Sequence, residues 1–304
     1  MAEKRELLHL KEGKYWDNIG DLLVERATRS GGFDMGEPHY HPYQELYYVD
    51  SGRCRMFVQH DIYYVSAGDV VSLPPFCLHR SSYEQGQTVE RFTACFRMDY
   101  IRRFTESCEE IYALFAQQKL TVPVEQRDMA KELFSAMIRE TLQEDSYTKL
   151  QLESLLSQLL VLLGRSKSAF QGIQQLGASD GAIQEAARFI YQHHREPIRL
   201  EHAADAGHLS PTYFSKRFRQ VTGMGFKEYL TYVRLMDGAE LLRTTGMSVT
   251  EIALTCGFSD GNYFGDVFKK AQGVSPSQFR KDVSLSGALH LQGEQRRHKC
   301  TKNQ

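Results

Sequence analysis

The C-terminal third of this 304-residue chain repeats itself at an offset of 50 positions. The matched positions are mostly Ala, Gly and aromatic residues, which are the types that form tight turns and small helical cores. They pair as Ala203 with Ala253, Gly207 with Gly257, Tyr213-Phe214 with Tyr263-Phe264, Phe218 with Phe268, Arg219 with Lys269, Gly223 with Gly273 and Tyr229 with Phe279. This region therefore contains two copies of one small helical unit.

Each copy has the features of a helix-turn-helix unit. A short helix that carries the Ala is followed by a Gly that permits a turn, and a second helix begins at a capping residue. Ser210 before Pro211 is a strong helix start, because Ser caps free N–H groups and Pro is favoured at the first helical position. Ser248 and Glu251 are spaced as a capping box for the first helix of the second copy. A further helix, predicted over residues 225–243, joins the copies.

The second helix of each copy is predicted to have a buried face and an outward face. Phe214 and Phe218 are four residues apart and lie on one side of a helix, as do Phe264 and Phe268. The opposite faces carry the residues predicted to contact DNA, which are Thr212, Ser215, Lys216 and Arg219 in the first copy and Asn262, Gly265, Asp266 and Lys269 in the second. The cations Arg219 and Lys269 are predicted phosphate contacts, while the small polar residues suit bases, phosphate or water equally.

The charge distribution also favours a nucleic-acid partner for the C-terminal region. Residues 1–181 hold 20 basic and 26 acidic side chains, a net charge of −6. Residues 182–304 hold 17 basic and 12 acidic side chains, a net charge of +5. A basic half is the one expected to meet phosphate, although the asymmetry is modest.

Residues 182–281 resemble the tandem helix-turn-helix domain of the arabinose-regulator (AraC) family of bacterial transcription regulators. The second copy carries the densest match, IALTCGFSDGNYFGDVFKKAQGVSPSQFR, with Gly257-Phe258, Tyr263-Phe264, Phe268-Lys269, Gly273, Ser275-Pro276 and Phe279-Arg280 in place. The resemblance implies a regulator, often an activator of carbohydrate-use genes, that binds double-stranded promoter DNA and acts with RNA polymerase. The alternative is a plain helical bundle whose basic residues form a solvated face.

Three positions depart from the family pattern. Gly238 stands where the joining helix usually has Ala, and Arg199 replaces a common capping residue. Gly265-Asp266 replaces a small residue followed by a basic one. The first copy is therefore expected to contribute more of the DNA specificity than the second.

Residues 1–100 are predicted to form a β domain. From Glu45 to about Phe96, short apolar segments alternate with turn residues, which is typical of all-β structure. The segments are ELYYVD, RCRMFVQ, DIYYVS, DVVSLP and VERFTACF. Gly52, His60-Asp61 and Ala67-Gly68 stand where the chain must reverse, so we expect hairpins that close into a small sandwich or barrel.

Helices are predicted to follow the strands, over residues 101–118, 126–143 and 146–164, because apolar residues recur there at spacings of three and four. The last helix, with its stripe from Leu152 to Leu163, covers the sheet, forms a contact in a homodimer, or both. Dimerisation is favoured, because doubling the DNA contacts raises the effective concentration on paired half-sites. Residues 165–181 read as a linker and residues 282–304 as a disordered tail. The predicted fold class is α+β with two domains: a cupin-like barrel followed by the helices of residues 101–164, and an all-α tandem helix-turn-helix domain over residues 182–281.

The β domain resembles the two motifs of the cupin barrel. The residues that carry the resemblance are His39, His41, Glu45 and His79, with Gly52, Gly68-Asp69 and Pro74 between them. In the cupin fold, the three imidazoles and the carboxylate converge inside the barrel, and this set suits Fe, Mn, Ni or Zn. The match is imperfect, because Phe76 stands in the place of a Gly of the second motif.

Three interpretations of this histidine set are open. It holds a divalent metal in an enzyme fused to a DNA-binding domain, or it binds a small-molecule effector such as a sugar, with or without a metal. The third interpretation is structural, with the histidines capping strand ends and packing against Tyr43, Tyr47 and Phe76. Because no other catalytic constellation is present in the sequence, a sensor is favoured over an enzyme.

Cysteine spacing and hydropathy place the chain in the cytoplasm. The six cysteines include no CxxC pair, and no signal peptide is recognisable. No apolar run reaches the roughly 18 residues that would suggest a membrane span. The expectation is a cytoplasmic homodimer without a membrane partner.

Overall fold

The computed structural model describes residues 21–30, 38–105, 108–166 and 176–281. The chain divides into two compact units, one built on residues 10–184 and the other on residues 185–219 and 224–304. Most of the predicted linker and all of the predicted tail lie outside the described residues, so those two assignments stay predictions. Within the described residues, no helix has both the length and the apolar character needed to cross a membrane.

The strands of the N-terminal unit form two antiparallel sheets. They are β1 (Leu22–Ser30), β2 (Gln44–Ser51), β3 (Arg53–Val58), β4 (Asp61–Ser66), β5 (Asp69–Leu73), β6 (His79–Ser82), β7 (Thr88–Phe96) and β8 (Lys119–Thr121). One sheet has the order β1-β7-β2-β5-β8 and the other the order β4-β3-β6. The five predicted strands are confirmed as β2 to β5 and β7, whereas β1, β6 and β8 were not predicted.

The predicted chain reversals lie at or next to the expected residues. Gly52, between β2 and β3, has a φ of 81° and approaches the strand β7 so closely that a Cβ would lie 2.2 Å from the Thr88 carbonyl oxygen. Only Gly fits both requirements. The reversal predicted at His60-Asp61 occurs one residue earlier, because Asp61 already begins β4 and Gln59 adopts the left-handed conformation.

Helices cover one face of the five-stranded sheet. They are α1 (Met98–Thr105), α2 (Glu110–Phe115), α3 (Arg127–Leu142) and α4 (Thr148–Arg165). The helix predicted over residues 101–118 is thus two helices. The stripe of α4 is buried against the sheet together with Leu46, Tyr48 and Phe92, which confirms its predicted intramolecular role. Of the apolar residues that recur along α3, Leu133 and Met137 are buried, whereas Met129 is exposed.

The C-terminal unit is built from helices alone. They are α5 (Ala178–His193), α6 (Leu200–Ala206), α7 (Pro211–Thr222), α8 (Phe226–Thr244), α9 (Val249–Thr255) and α10 (Gly261–Gln272), and residues 276–281 are also helical. Helix α5 begins inside the segment that was predicted to be linker. Helix α8 packs on both helix-turn-helix copies, through the rings of Tyr229 and Phe218 on one side and through Leu235 and Leu242 beside Phe264 on the other.

The two copies are equivalent, but their turns differ in length. The pair α6 and α7 has helices of seven and twelve residues, as does the pair α9 and α10. Residues 207–210 form the first turn and residues 256–260 form the second, which is one residue longer. The offset is therefore 49 in the first helix of each copy and 50 in the second.

This difference corrects two pairs in the predicted repeat. The amide of Leu209 donates to the carbonyl of Ala204, and the amide of Phe258 donates in the same way to Ala253, each at 2.9 Å. Ala204, rather than Ala203, is therefore the counterpart of Ala253. The left-handed turn residue that corresponds to Gly257, with φ 85°, is His208, with φ 54°, and Gly207 ends its helix at φ −86°.

Gly238 is a packing requirement of the C-terminal unit. A Cβ at this position would lie 2.8 Å from Cε2 of Phe264, whose ring is fully buried. We predict that Gly238→Ala lowers the free energy of unfolding, because crowding costs about 1–3 kcal/mol in a packed core. This cost exceeds the helix-propensity gain of about 1 kcal/mol. Denaturant unfolding followed by helical circular dichroism measures the change.

Gly265→Ala is the matched control, since nothing lies within 4 Å of a Cβ built there in α10. This variant should gain about 1 kcal/mol from helix propensity alone. Equal stabilisation by both substitutions would show that Gly238 is not in close contact with Phe264.

Asp237 of α8 fixes the end of α5. Its carboxylate accepts hydrogen bonds from Nε2 of His194 at 3.0 Å and from Nε of Arg195 at 2.8 Å. Burial favours the neutral acid, but these two hydrogen bonds outweigh it and hold the pKa of Asp237 well below its ordinary value. The ionised form thus stabilises the unit at neutral pH, and this contribution is lost as the pH falls below the unfolded-state value of about 4.

We predict that Asp237→Asn lowers the free energy of unfolding by about 1–3 kcal/mol at pH 7, the usual range for hydrogen bonds to a charged group. The difference from the parent chain should shrink as the pH is lowered through about 4 towards 2. Glu240→Gln removes the exposed partner of Arg243 on the same helix and should change stability little. A difference for Asp237→Asn that does not vary with pH would contradict the assigned ion pairs.

Candidate DNA-binding face and effector site

Helix α7 presents the predicted face of the first copy. It begins at Pro211, with the amide of Tyr213 3.4 Å from Ser210 Oγ, as the sequence predicts. Phe214 and Phe218 are fully buried. The residues predicted to contact DNA, Thr212, Ser215, Lys216 and Arg219, are all exposed. The aromatic face thus anchors α7 in its unit, and the polar face is exposed.

Helix α10 repeats this arrangement with a different cap and a different charge. Asp260 caps it, accepting a hydrogen bond from the Tyr263 amide at 2.8 Å. Phe264 and Phe268 are fully buried, while the predicted residues Asn262, Asp266 and Lys269 are exposed and Gly265 is partly exposed. The carboxylate of Asp266 therefore lies on the same outward face as the cation of Lys269.

Two tyrosines on these faces were missed at the sequence level. Tyr213 and Tyr263 occupy equivalent positions and are each 48% exposed, although they are large and partly apolar. The repeat pairs them, but the predicted outward faces did not include them. Exposed amphipathic rings of this kind suit a surface that binds sugars, phosphates or bases. The structure also shows a partner for Arg219 that the sequence did not predict, since its guanidinium lies 3.1 Å from the carboxylate of Glu228.

The structure brings together all four predicted residues of the N-terminal site. His39 and His79 form an isolated antiparallel bridge, with backbone hydrogen bonds of 3.1 and 3.0 Å. Nε2 of His41 lies 2.8 Å from Oε2 of Glu45, and Nε2 of His79 lies 3.6 Å from the same oxygen. His41, Glu45 and His79 are buried. The predicted convergence is thus present as a compact cluster.

Backbone carbonyls orient two of the imidazoles. Nδ1 of His41 lies 3.1 Å from the Tyr43 carbonyl, and Nδ1 of His79 lies 2.9 Å from the Cys77 carbonyl. Because a carbonyl oxygen can only accept, each Nδ1 donates to its carbonyl, and each Nε2 is directed at Glu45. The same arrangement of the outer ring nitrogen is usual for histidines that bind metals.

Burial controls protonation in the cluster. Burial lowers the pKa of His39 to about 3 and that of His79 to about 4, so both are neutral near pH 7. For Glu45, burial acts to raise the pKa, but the hydrogen bond with His41 and the neighbouring imidazoles lower it to about 2. A buried carboxylate therefore lies beside the neutral imidazoles of His39 and His79.

Cys95 of β7 adds a donor that the sequence did not reveal. It lies opposite Glu45 in the pairing of β2 with β7, and it is fully buried. The donor atoms of His41, Glu45 and Cys95 lie within 4.8 Å of one another, as do those of His39, His41 and His79. Three imidazoles, one carboxylate and one thiol form a donor set that fits a divalent transition metal.

The loop before His79 holds a residue in an unfavourable conformation. Phe76, which stands where the cupin motif has Gly, adopts a φ of 62° and is 44% exposed. Its amide donates to the His41 carbonyl at 2.7 Å. The hydrogen bond holds this loop against the first histidine motif. A bulky side chain in the left-handed region costs about 1–2 kcal/mol, which the contacts of the loop have to offset.

Comparisons with known proteins agree with this two-part organisation. Residues 26–160 match the family described as the AraC-like ligand-binding domain, and residues 193–282 match a helix-turn-helix domain. The transcriptional activator RhaR of Pectobacterium carotovorum is 30% identical over 259 residues, which cover 80% of this chain and 85% of the relative. The activator RhaS of an Enterobacter species is 27% identical over 256 residues, covering 81% of this chain and 89% of the relative.

A solved structure, that of ToxT from Vibrio cholerae, is 16% identical, with a TM-score of 0.34 and coverage of 86% of this chain and 97% of that one. A ligand-binding domain followed by a helix-turn-helix domain defines a class of DNA-binding transcription regulators. The chain belongs to the AraC family of this class.

Proposed function

We propose that this protein activates transcription by binding promoter DNA through α7 and α10 and that a small molecule in the N-terminal domain controls it. The observation that carries this proposal is the pair of exposed polar faces on the second helices of two equivalent units, whose aromatic faces are buried. Second helices of such units enter the major groove of DNA. Two relatives are named as transcriptional activators, which supports activation over repression.

The residues of the two faces take different roles in this proposal. Lys216, Arg219 and Lys269 contact phosphate and supply affinity without sequence preference. Thr212, Ser215 and Asn262 are placed to contact bases. Gly265 offers no side chain and Asp266 repels phosphate, so α7 provides more of the specificity than α10.

The histidine cluster is the proposed effector site. His39, His41, Glu45 and His79 bind the effector, a sugar or a sugar derivative. A protein of this design acts in the cytoplasm, where promoter DNA is found. A ligand that binds one arrangement of the regulator better than another shifts the population towards it. We further propose a homodimer and contact with RNA polymerase, as expected for a family member that activates transcription from paired half-sites.

A divalent metal ion is a proposed constituent of the effector site. His39, His41, His79 and Glu45 would hold it, with Cys95 as an additional sulfur donor. Such an ion would act as a Lewis acid that binds effector oxygen atoms. A metal-dependent enzyme with the same donors is the second candidate, and the donor set is the observation that favours it.

The DNA-binding proposal predicts opposite effects for neighbouring charges. Lys269→Ala and Arg219→Ala in the full chain should each weaken binding to a random-sequence duplex and reduce the slope of log affinity against log salt by about 1. Asp266→Asn should strengthen binding, because it removes a negative charge from the same face. Fluorescence anisotropy over a salt series measures all three.

Lys149→Ala is the control, since Lys149 is an exposed cation of α4 in the other domain. Its affinity and salt slope should match those of the parent chain. If Lys269→Ala and Arg219→Ala also match the parent chain, the DNA-binding face has been assigned to the wrong surface.

The metal proposal predicts an absorption band that is specific to a cysteine ligand. Titration of chelator-treated full-length protein with Co²⁺ should produce a near-ultraviolet charge-transfer band from a thiolate ligand. Cys95→Ser should abolish the band while Co²⁺ still binds, and His41→Ala should weaken binding itself. Cys54→Ser, which changes another buried thiol of the same domain, should leave the band intact. Co²⁺ binding without the band would exclude Cys95, and no Co²⁺ binding would mean that the effector binds without a metal.

A further inference from the structure

Arg91 is a buried cation on the inner face of the five-stranded sheet. It lies on β7, only 7% exposed, on the same face as Thr93 and Cys95. One terminal nitrogen donates to Thr93 Oγ1 at 3.3 Å, and the guanidinium carbon lies 5.1 Å from the centre of the Tyr47 ring. The side chain therefore points into the domain and not towards solvent.

The charge of Arg91 is not matched by a carboxylate. Among the described residues, no acidic group lies within ion-pair distance of it, and its buried Nε has no hydrogen-bond partner. The acids that influence it from farther away are Glu45, which is already bound by His41, and Glu25, which is exposed. A buried cation without a partner is strongly unfavourable, so such groups are rare unless a ligand completes them.

Polar side chains surround Arg91 on this face of the sheet. Pairing of β2 with β7 sets Glu45 opposite Cys95, Tyr47 opposite Thr93 and Val49 opposite Arg91, so one face carries the histidine cluster, then Tyr47, then Arg91. The hydroxyl of Tyr47 lies 3.0 Å from that of Tyr83, which is 3.2 Å from Ser81 Oγ. Hydroxyl groups near a guanidinium whose Nε has no partner can bind a compound that carries both hydroxyls and an oxyanion.

We propose that Arg91 binds an oxyanion of the effector, a carboxylate or a phosphate, so that the effector is an anionic compound and not a neutral sugar. This inference rests on the proposed function, because it assigns a ligand class to the same N-terminal site. The guanidinium fork matches both oxyanions in geometry, with Nε and a terminal nitrogen as the two donors. The structural alternative is that Arg91 only stacks on Tyr47 and supports the sheet.

The test compares galactose, galacturonate and galactose 6-phosphate, together with acetate and inorganic phosphate, as probes of the full chain at constant ionic strength. Thermal unfolding should show stabilisation by at least one anionic probe, and whether carboxylates or phosphates act identifies the oxyanion. Arg91→Met should weaken that probe about ten- to hundredfold, the loss expected for hydrogen bonds to a charged group. Arg91→Lys should retain part of the binding, since it keeps the charge but not the fork.

Two further measurements separate a binding role from a structural one. Without probe, Arg91→Met should melt at or above the midpoint of the parent chain, because it removes a buried charge that has no partner. Arg26→Met is the matched control on β1, where Arg26 is half exposed and pairs with Glu90, and it should keep the response to the probe.

The inference is overturned if every anionic probe raises the melting midpoint of Arg91→Met as much as that of the parent chain. It is also overturned if Arg91→Met lowers the midpoint without probe and no anionic probe stabilises the parent chain. Stabilisation by galactose that is equal in the parent chain and Arg91→Met would overturn the anionic class while leaving the effector site in place. DNA binding is measured separately on the same variants, so a failure of the regulator proposal would be seen independently.

Discussion

The alternation of side chains along β2 and β7, two adjacent inner strands of the five-stranded sheet, determines most of the packing in the N-terminal unit. Successive side chains of a strand point to opposite faces, so β2 and β7 each contribute to two different environments. Leu46, Tyr48 and Phe92 face the helices and form an apolar core with α3 and α4. Glu45, Arg91 and Cys95 face the other way, on the side of a second apolar core that includes Tyr47, Val49 and Met56. A shift of one residue in either strand would exchange the two sets and destroy both.

In the C-terminal unit, the corresponding constraint is the position of α8 between the two copies. Its N-terminal half contacts the first copy through Tyr229, and its later residues pack in the core of the second. Arg234 also donates to the carbonyls of His194 and Glu196, at 2.6 and 2.8 Å, and so joins Asp237 in fixing the end of α5. One helix therefore sets the spacing of α7 and α10, and Gly238 allows the close approach that this requires.

The sequence predicted the parts of the structure that follow from short-range pattern. The five strongest strands, the helix starts at Pro211 and Val249, and the outward faces of α7 and α10 needed only alternation, capping residues and aromatic spacing. The strands β6 and β8 were not predicted, because β6 has the polar sequence HRSS and β8 has only three residues. The histidine cluster was predicted from motif resemblance, whereas Cys95 and Arg91 were not, because their approach to it depends on the pairing of distant strands. The extra turn residue of the second copy was hidden because a constant offset also aligns Ala203 with Ala253 and Gly207 with Gly257.

That extra residue limits how the copies can be exchanged. The first turn uses His208 in the left-handed conformation, and the second uses Gly257 followed by Phe258, Ser259 and Asp260 before α10 begins. The second helices are nevertheless in register, because Phe214 and Phe218 of α7 occupy the buried positions that Phe264 and Phe268 occupy in α10. Exchanging these two helices alone would therefore keep Asn262 and Lys269 on the outward face. Exchanging the first helices together with the second ones would change the chain length, so a chimeric regulator built from whole copies has to carry the turn that belongs to each copy.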